Sequence, residues 1–291
     1  MSGIHLDALN RVVEHEPHDM TVTVEAGLTL ARLQADLSRS RQWLPLDPPH
    51  PERLTVGALL AANASGPRRF GYGTCRDYLL GIKVVLADGR VIHSGGKVVK
   101  NVAGYDLAKL FVGSQGSLGV IAQATFKLRP LPEAEEFVQA RRPSLDEATA
   151  LLALAIESEL TPVVVDLHDL TPSPDHQPAT FSLVVGFAGT REEVQWQRTR
   201  ANELGLAEGA TLDHEYRFWN GGPAARRVSV LPSRLVETLR HLGAVSFLAR
   251  AGNGVIYYRG GPETAKDEAP ARLIQRLKNE FDPRHILPVL P

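Results

Sequence analysis

One cysteine, Cys75, is the only thiol in 291 residues. That excludes an internal disulfide framework and makes the reducing cytoplasm the expected compartment. Excess charge is also missing: 32 basic residues stand against 33 acidic ones. No basic field is available to hold a nucleic-acid backbone or an anionic bilayer, so nucleic acid is excluded as a partner. Apolar runs such as Ile82 to Ala87 and Phe181 to Ala188 fall far short of the roughly 20 residues of a bilayer span. The opening MSGIHLDALNR has no apolar signal core. No transmembrane segment is expected, and no repeat, low-complexity tract or terminal lipid-anchor motif is found. The ten histidines show no ligand spacing, with His15 and His18 in a polar turn, so no metal site is expected.

The length suits about two domains. Thr21 to Ala26 alternates as a strand, turns at Gly27, and passes into TLARLQADLSRS, where Leu30, Leu33 and Leu37 mark one helical face. After a proline-rich stretch, Leu44 to Pro51, Thr55 can cap a short helix reaching Asn63. Gly81 to Leu86 and Val91 to His93 flank an Asp-Gly turn and form a hairpin. Tyr105 to Val112 reads as a helix and Gly119 to Leu128 as a strand. Pro130 and Pro132, followed by acidic residues, mark a linker, with the seam near 133. Beyond it come a strand (137–140), a helix (145–158), strands (162–167 and 181–188), a helix (192–205), strands around Val245 and Val255, and a last helix (270–279). Thr171 to Pro178 reads as a surface loop. This order predicts an antiparallel sheet with helices on one face.

Three stretches combine glycine with small residues: 54–67 (LTVGALLAANASGP), 68–81 (RRFGYGTCRDYLLG) and 112–121 (VGSQGSLGVI). Glycine lets backbone approach a ligand and expose its N–H groups, as a pyrophosphate or a flavin edge requires. In the first stretch a helix begins at Thr55 and Val56, where unpaired N–H groups would favour an anion. Any one of these glycines taken alone is better explained by a turn. The glycines of 113–119 lie after a helix and before a strand, the reverse of the dinucleotide fingerprint, and Gly96-Lys97-Val98 lacks the P-loop hydroxyl. Rossmann and P-loop nucleotide sites are thereby excluded.

These stretches, with GGKVVKNVAGYDLAKLFVGSQGSLGVI and the tail FDPRHIL, resemble the vanillyl-alcohol-oxidase-type (PCMH) FAD-binding fold, and KNVAGYDL is similar to bacterial glycolate oxidase subunits. The resemblance is dense over 4–132 and loose beyond. It implies an α+β chain, with an FAD-binding PCMH-type domain over 1–132 and a ferredoxin-like α+β cap over 133–291 whose C-terminal segment returns to the flavin domain. By that likeness Thr55, Val56 and Gly57 meet the flavin and its phosphates. Asn63, Gly66, Gly73 and Thr74 lie along the flavin, and Gly116, Gly119 and Ile121 line the rest of the cleft.

The sequence departs from the family at three places. The family's first glycine-rich loop precedes a stretch like IHLDALNRVVEHEP, which here starts at Ile4, so the FAD domain is expected to be N-terminally incomplete. Where the larger catalytic subunits carry a pattern resembling His-Ala-Gly-Asp-Gly-Asn-x-His, this chain has Arg250 to Tyr257, with arginine and tyrosine at the histidine positions. That points to the smaller, E-type FAD-binding subunit. The tail has ILPVLP in place of an Asn-Pro-Gly element.

Other residues carry weaker signals. Arg76 is the best of three arginines (with Arg68 and Arg69) for an anion contact. Cys75 reads as a small buried hydrophobe, His50 as a solvated loop residue, and Trp219 as core at a glycine turn. No catalytic residue is identified. The expected function is FAD-dependent oxidation of a small 2-hydroxy acid, glycolate to glyoxylate, beside a larger homologous flavin subunit and an iron-sulfur subunit. Such a complex would lie in the cytoplasm or peripherally at the inner membrane. The alternative is a non-catalytic scaffold or electron-relay subunit in which FAD binding is weak or lost.

Overall fold

The computed structural model describes residues 5–96, 107–170, 180–262 and 271–289. Two compact units emerge: Met1–Gly66, Gly73–Leu131 and Asp267–Pro291 form the first, Pro67–Tyr72 and Pro132–Lys266 the second. The chain opens with β1 (Val12–Glu16), β2 (Thr21–Glu25), α1 (Leu30–Ser38), β3 (Gln42–Trp43) and α2 (Val56–Ala62). After α3 (Arg69–Tyr72) follow α4 (Cys75–Tyr78), β4 (Leu79–Val85), β5 (Val91–Gly95), α5 (Ala108–Phe111), β6 (Val120–Lys127) and β7 (Arg129–Pro130). The second unit continues through β8 (Ala134–Arg142), α6 (Leu145–Glu157), β9 (Val164–Asp169), β10 (Phe181–Gly189), α7 (Arg191–Glu203) and β11 (Glu208–Ala210). Then come α8 (Asp213–Asn220), β12 (Arg226–Ser229), α9 (Leu235–Leu242), β13 (Ser246–Arg250), β14 (Val255–Arg259) and finally α10 (Ala271–Phe281).

The first unit is built on a five-stranded sheet in the order β1-β2-β6-β4-β5. Leu30, Leu33 and Leu37 bury the apolar face of α1, each worth roughly 1.5–3 kcal/mol of transfer free energy. Thr29 caps that helix through its hydroxyl, which accepts from the Arg32 N–H. β4 and β5 pair antiparallel around the Asp-Gly turn, from Gly81↔Gly95 to Val85↔Val91.

The second unit carries a seven-stranded antiparallel sheet, β11-β8-β10-β9-β13-β14-β12. Its first half, β8-α6-β9-β10-α7-β11, is a ferredoxin-like unit with its strands in the order fourth, first, third, second; β13, β14 and β12 extend it from β9. Apolar residues of α6, α7 and α9 join alternate strand residues, such as Val165, Leu167, Val185 and Ala249, in one core on one sheet face. Ser144 and the Thr190–Glu193 capping box start α6 and α7, caps worth about 1 kcal/mol each.

The structure corrects several local expectations. Pro130 is not in a linker but pairs with Gln42 in β7, an edge position where the missing N–H costs nothing. The contact boundary falls between Leu131 and Pro132. Trp219, expected as core at a glycine turn, is half-buried in the last turn of α8 before Gly221, and neither α8 nor α9 was foreseen; both have eight residues, too few for periodicity to stand out. The expected 105–112 helix is described only as α5, and most of KNVAGYDL, the 171–178 loop and Pro270 lie outside the described residues. Among the described residues no helix is long and apolar enough to cross a membrane.

Candidate functional site

Thr55 caps α2 as expected, its hydroxyl accepting from the Ala58 N–H at 3.2 Å. The other donors of that turn are spent inside the chain, however. Val56 N–H donates to the Leu28 carbonyl at 2.8 Å, and Gly57 N–H to the Ala26 carbonyl at 2.7 Å. The expectation of free N–H groups for an anion is therefore corrected at Val56, and Gly57 beside it offers none: this helix end docks on the segment after β2. Gly57 is glycine because a Cβ there would stand 3.1 Å from the Ala26 carbonyl oxygen.

The three glycine-rich stretches meet at the opposite end of α2. Asn63 ends the helix in the left-handed region at φ 47°, and its Oδ1 accepts from Cys75 Sγ at 3.2 Å. Gly113 and Gln115 donate to the carbonyls of Leu60 and Ala61, each at 2.9 Å. Arg76 Nη2 donates to the Val112 carbonyl at 2.8 Å, which makes it a strut for the 112–119 turn. Gly73 and Thr74 lead into α4, where Asp77 accepts from the Thr74 N–H at 2.7 Å.

Some of the predicted residues are packing elements. A Cβ on Gly66 would fall 1.9 Å from the Asp47 carbonyl oxygen, and one on Gly119 2.6 Å from Val84 Cγ1. Ile121 is buried and pairs with Val84 inside the sheet. Gly116 differs: at φ +77° it has, among the described residues, nothing within 4 Å of its would-be Cβ, and nearby Ser114 Oγ is buried with no partner among them. An open backbone face beside an orphaned hydroxyl is what a bound group could use. Lys278 in α10 holds this turn from behind, donating to the Ser117 carbonyl at 2.9 Å.

Burial pushes the Cys75 thiol up to about 12, so it is inert as a nucleophile. Arg68 makes a two-pronged pair with Glu135 within the second unit and is committed there. His50 lies 3.8 Å from Glu52.

A second polar centre, unforeseen from sequence, lies on the sheet face of the second unit opposite the apolar core. In β9 the core residues Val165 and Leu167 alternate with Asp166 and His168, so the two polar side chains point the other way. Arg250, 1% exposed, donates to Asp166 Oδ2 at 2.6 Å and grips both oxygens of Glu215. His214 Nε2 lies 3.0 Å from Asp166 Oδ2, and its ring stacks on His168 with centroids 4.8 Å apart. Burial, then the neighbouring His214, push the His168 imidazole down to about 3. Burial also works against the Asp166 carboxylate, but the Arg250 charge and the His214 hydrogen bond outweigh it and hold the carboxyl below its ordinary range.

Donor atoms of Asp166, His214 and Glu215 lie within 4.8 Å of one another, a grouping able to hold a metal. The Arg250 guanidinium already occupies both carboxylates, so the cation of this cluster is an arginine. Trp219, placed on α8, donates to Glu215 Oε2 at 2.9 Å and meets the Tyr257 ring edge-on at 4.9 Å. Ligand spacing along the chain does not reveal the cluster, because its members come from three separate elements. The available signal was Asp166 and His168 at alternate positions of a buried strand, interleaved with Val165 and Leu167.

Comparison with known proteins bears on the first unit above all. Residues 2–95 match a family model described as "FAD binding domain". The chain is 38% identical to "Glycolate oxidase subunit GlcE" of Escherichia coli over 155 residues, 53% of this chain and 43% of that one. It is 37% identical to "Glycolate oxidase subunit GlcD" of Bacillus subtilis over 162 residues, 55% of this chain and 34% of that one. It is also 46% identical to "D-lactate dehydrogenase" of Archaeoglobus fulgidus over 132 residues, 45% and 27% of the two chains. The chain thus spans less than half the length of these curated relatives. Among solved structures, alkyldihydroxyacetonephosphate synthase shares the fold, with a TM-score of 0.68 at 20% identity over 96% of this chain and 65% of that one.

Proposed function

From a chain that carries an FAD-binding domain of the PCMH type, we propose an FAD-dependent oxidoreductase acting on a small 2-hydroxy acid, with glycolate to glyoxylate as its reaction. The observation that carries this reading is the coincidence of the FAD-domain match with relatives named for glycolate and D-lactate oxidation. When bound, FAD would accept the hydride from C2 of the hydroxy acid; the protein binds, orients and shields. In this reading the first unit is the flavin domain and the second the substrate-side cap. The turn 113–119, with Gly116 and Ser114, and the residues gathered at Asn63, Gly73, Thr74 and Arg76 hold the cofactor; Thr55, Val56, Gly57, Gly66, Gly119 and Ile121 shape its surroundings through the backbone. Its fit is supported by the face at Gly116 and the Ser114 hydroxyl, open and unpartnered among the described residues.

The names of the relatives as subunits support a complex, and we read the partners as a larger homologous flavin subunit and an iron-sulfur subunit, assembled in the cytoplasm or at the inner membrane. A second reading, a scaffold or electron-relay subunit, is favoured by one observation: Arg250, at a position where the resemblance has histidine, is locked between Asp166 and Glu215. An absorption spectrum of the purified chain with and without added FAD, followed by anaerobic glycolate and D-lactate, separates the two. Flavin bands bleached by a hydroxy acid support the oxidoreductase; a colourless protein that takes up no FAD overturns it in favour of the scaffold.

A further inference from the structure

The two units are not divided by a single cut along the chain. Pro67–Tyr72 belong with the second unit, while Gly66 before them and Gly73 after them belong with the first. This short excursion lies in the glycine-rich stretch 68–81 and hands straight on to Gly73, Thr74 and Arg76.

Three contacts anchor the excursion within the second unit, each to a different place in it. Arg68 Nε donates to Glu135 Oε1 of β8 at 2.7 Å, and its guanidinium stands 5.8 Å from the Phe137 ring centroid. The two side chains are only 16% and 23% exposed, so solvent screens this two-pronged pair far less than a surface pair. The Gly71 N–H donates to the Val163 carbonyl at 3.1 Å, just before β9. The backbones run so close there that a Cβ on Gly71 would fall 2.6 Å from Val163 Cα. Phe70 packs against the core of the second unit and lies on Gly252, between β13 and β14, where a Cβ would meet the ring at 2.1 Å.

A helix of four residues such as α3 has no stability of its own and takes its shape from what it is packed on. On the far side, the Thr74 N–H donates to Asp77 and Arg76 reaches the Val112 carbonyl. Only Tyr72 separates the anchored Gly71 from Gly73. The direction in which the chain enters the 73–76 turn is therefore set by residues of the second unit.

We propose that Arg68, Phe70, Glu135 and Gly252 are positioning residues for the cofactor, holding the 73–76 turn in its binding conformation through the chain and not by contact with the ligand. This rests on the preceding reading for the identity of the cofactor, and adds what sets the shape of its site. A turn already held in place need not be ordered when the ligand arrives, so loosening the anchor lowers affinity without removing a ligand contact.

The test is FAD titration of the full chain beside hydrogen exchange of residues 73–78, with thermal melting to show that each variant is folded. Gly252 has no positive φ, so Gly252→Ala strains nothing but the Phe70 contact. It is expected to weaken FAD at least 5-fold and to speed exchange of 73–78 at least 10-fold. Leu151→Ala, a cut in the same core on α6 that carries none of the three contacts, is expected to lower the melting temperature and change neither. Arg68→Met and Glu135→Gln are each expected to weaken FAD, and the double variant to lose no more than the worse single one, because the two act as a pair. Arg68→Lys, which keeps the charge, is expected to retain more affinity than Arg68→Met. Parental affinity in Gly252→Ala, an equal loss in Leu151→Ala, or losses at Arg68 and Glu135 that simply add overturn the proposal. If the parent is reduced by a hydroxy acid and the variants bind FAD as it does, the oxidoreductase stands and the anchor falls. If the parent takes up no FAD, the oxidoreductase falls and exchange decides the anchor alone: equal rates at 73–78 in parent and Gly252→Ala overturn it, and faster exchange in Gly252→Ala alone upholds it.

Discussion

Lys278 Nζ lies 2.9 Å from the carbonyl oxygen of Ser117, a contact between residues 161 positions apart. The same ammonium donates to Asp282 Oδ2 at 2.6 Å and to the carbonyls of Leu287 and Pro288 at 3.1 and 2.9 Å. One buried cation therefore ties α10, the C-terminal tail and the glycine turn together, and Phe281 against Phe111 adds an edge-on ring contact at 5.7 Å. Lys278→Met leaves the Asp282 carboxylate buried without its counter-charge, and the cost of breaking such a pair is about 3 kcal/mol. The expected outcome is a lower urea midpoint with an unchanged slope, and faster hydrogen exchange in residues 112–119.

Gly66 and Gly116 are both in the glycine-rich stretches, yet they answer to different constraints. Gly66→Ala pushes a methyl into the Asp47 carbonyl at 1.9 Å, and overpacking against rigid backbone costs about 3 kcal/mol. Gly116→Ala has room but keeps a left-handed backbone at φ +77°, a penalty of about 1 kcal/mol. If the 113–119 turn lines the flavin, the second change lowers FAD affinity at least 10-fold with little loss of stability. FAD titration beside thermal melting measures both, and equal FAD affinity in parent and Gly116→Ala removes the turn from the site.

What could be read from the sequence follows the range of the forces involved. The α1 stripe of Leu30, Leu33 and Leu37, the Thr55 cap and the 81–95 hairpin are set by residues a few positions apart, and they stand where periodicity and turn chemistry put them. The β-α-β-β-α run of the second unit was legible from element order, but its closing strand β11, three residues long, was too short to read. The free N–H group expected at Val56 was not found, nor one at Gly57 beside it, because their acceptors, the carbonyls of Leu28 and Ala26, become neighbours only through tertiary packing. For the same reason the Asp166–His214–Arg250–Glu215 cluster shows no ligand spacing in sequence, where only the polar alternation of β9 hints at it.

Cys75 has no solvent exposure and donates toward Asn63 Oδ1. With its thiol pushed up to about 12 by burial, almost no thiolate exists at pH 8. The native protein is expected to resist an aromatic disulfide reagent for hours at that pH and to titrate one thiol at once in guanidinium chloride. Rapid labelling of the native chain would return Cys75 to the candidates for covalent or redox chemistry.

His168 gives the stability of the protein a specific acid dependence. Its imidazole is pushed from 6.5 down to about 3 by burial first and then by the proximity of His214, so the folded chain refuses a proton that the unfolded chain accepts. A lowered folded-state pKa means stability is complete above the unfolded value and declines as pH falls, here from about 6.5 towards 3. One proton sets the limiting slope at about 1.4 kcal/mol per pH unit. Asp166 and Asp282, held below the ordinary carboxylate range, add their own losses only below that range, about pH 4. Between pH 6.5 and 4.5 the decline therefore belongs largely to buried imidazole. Urea unfolding at intervals across that window is expected to show a falling midpoint, flattened in His168→Phe, which keeps a ring against His214 and cannot titrate. NMR of the His168 ring should show no titration down to pH 4.5. A midpoint near 6.5 for that resonance would mean that the ring is solvated and that the second polar centre is open to water.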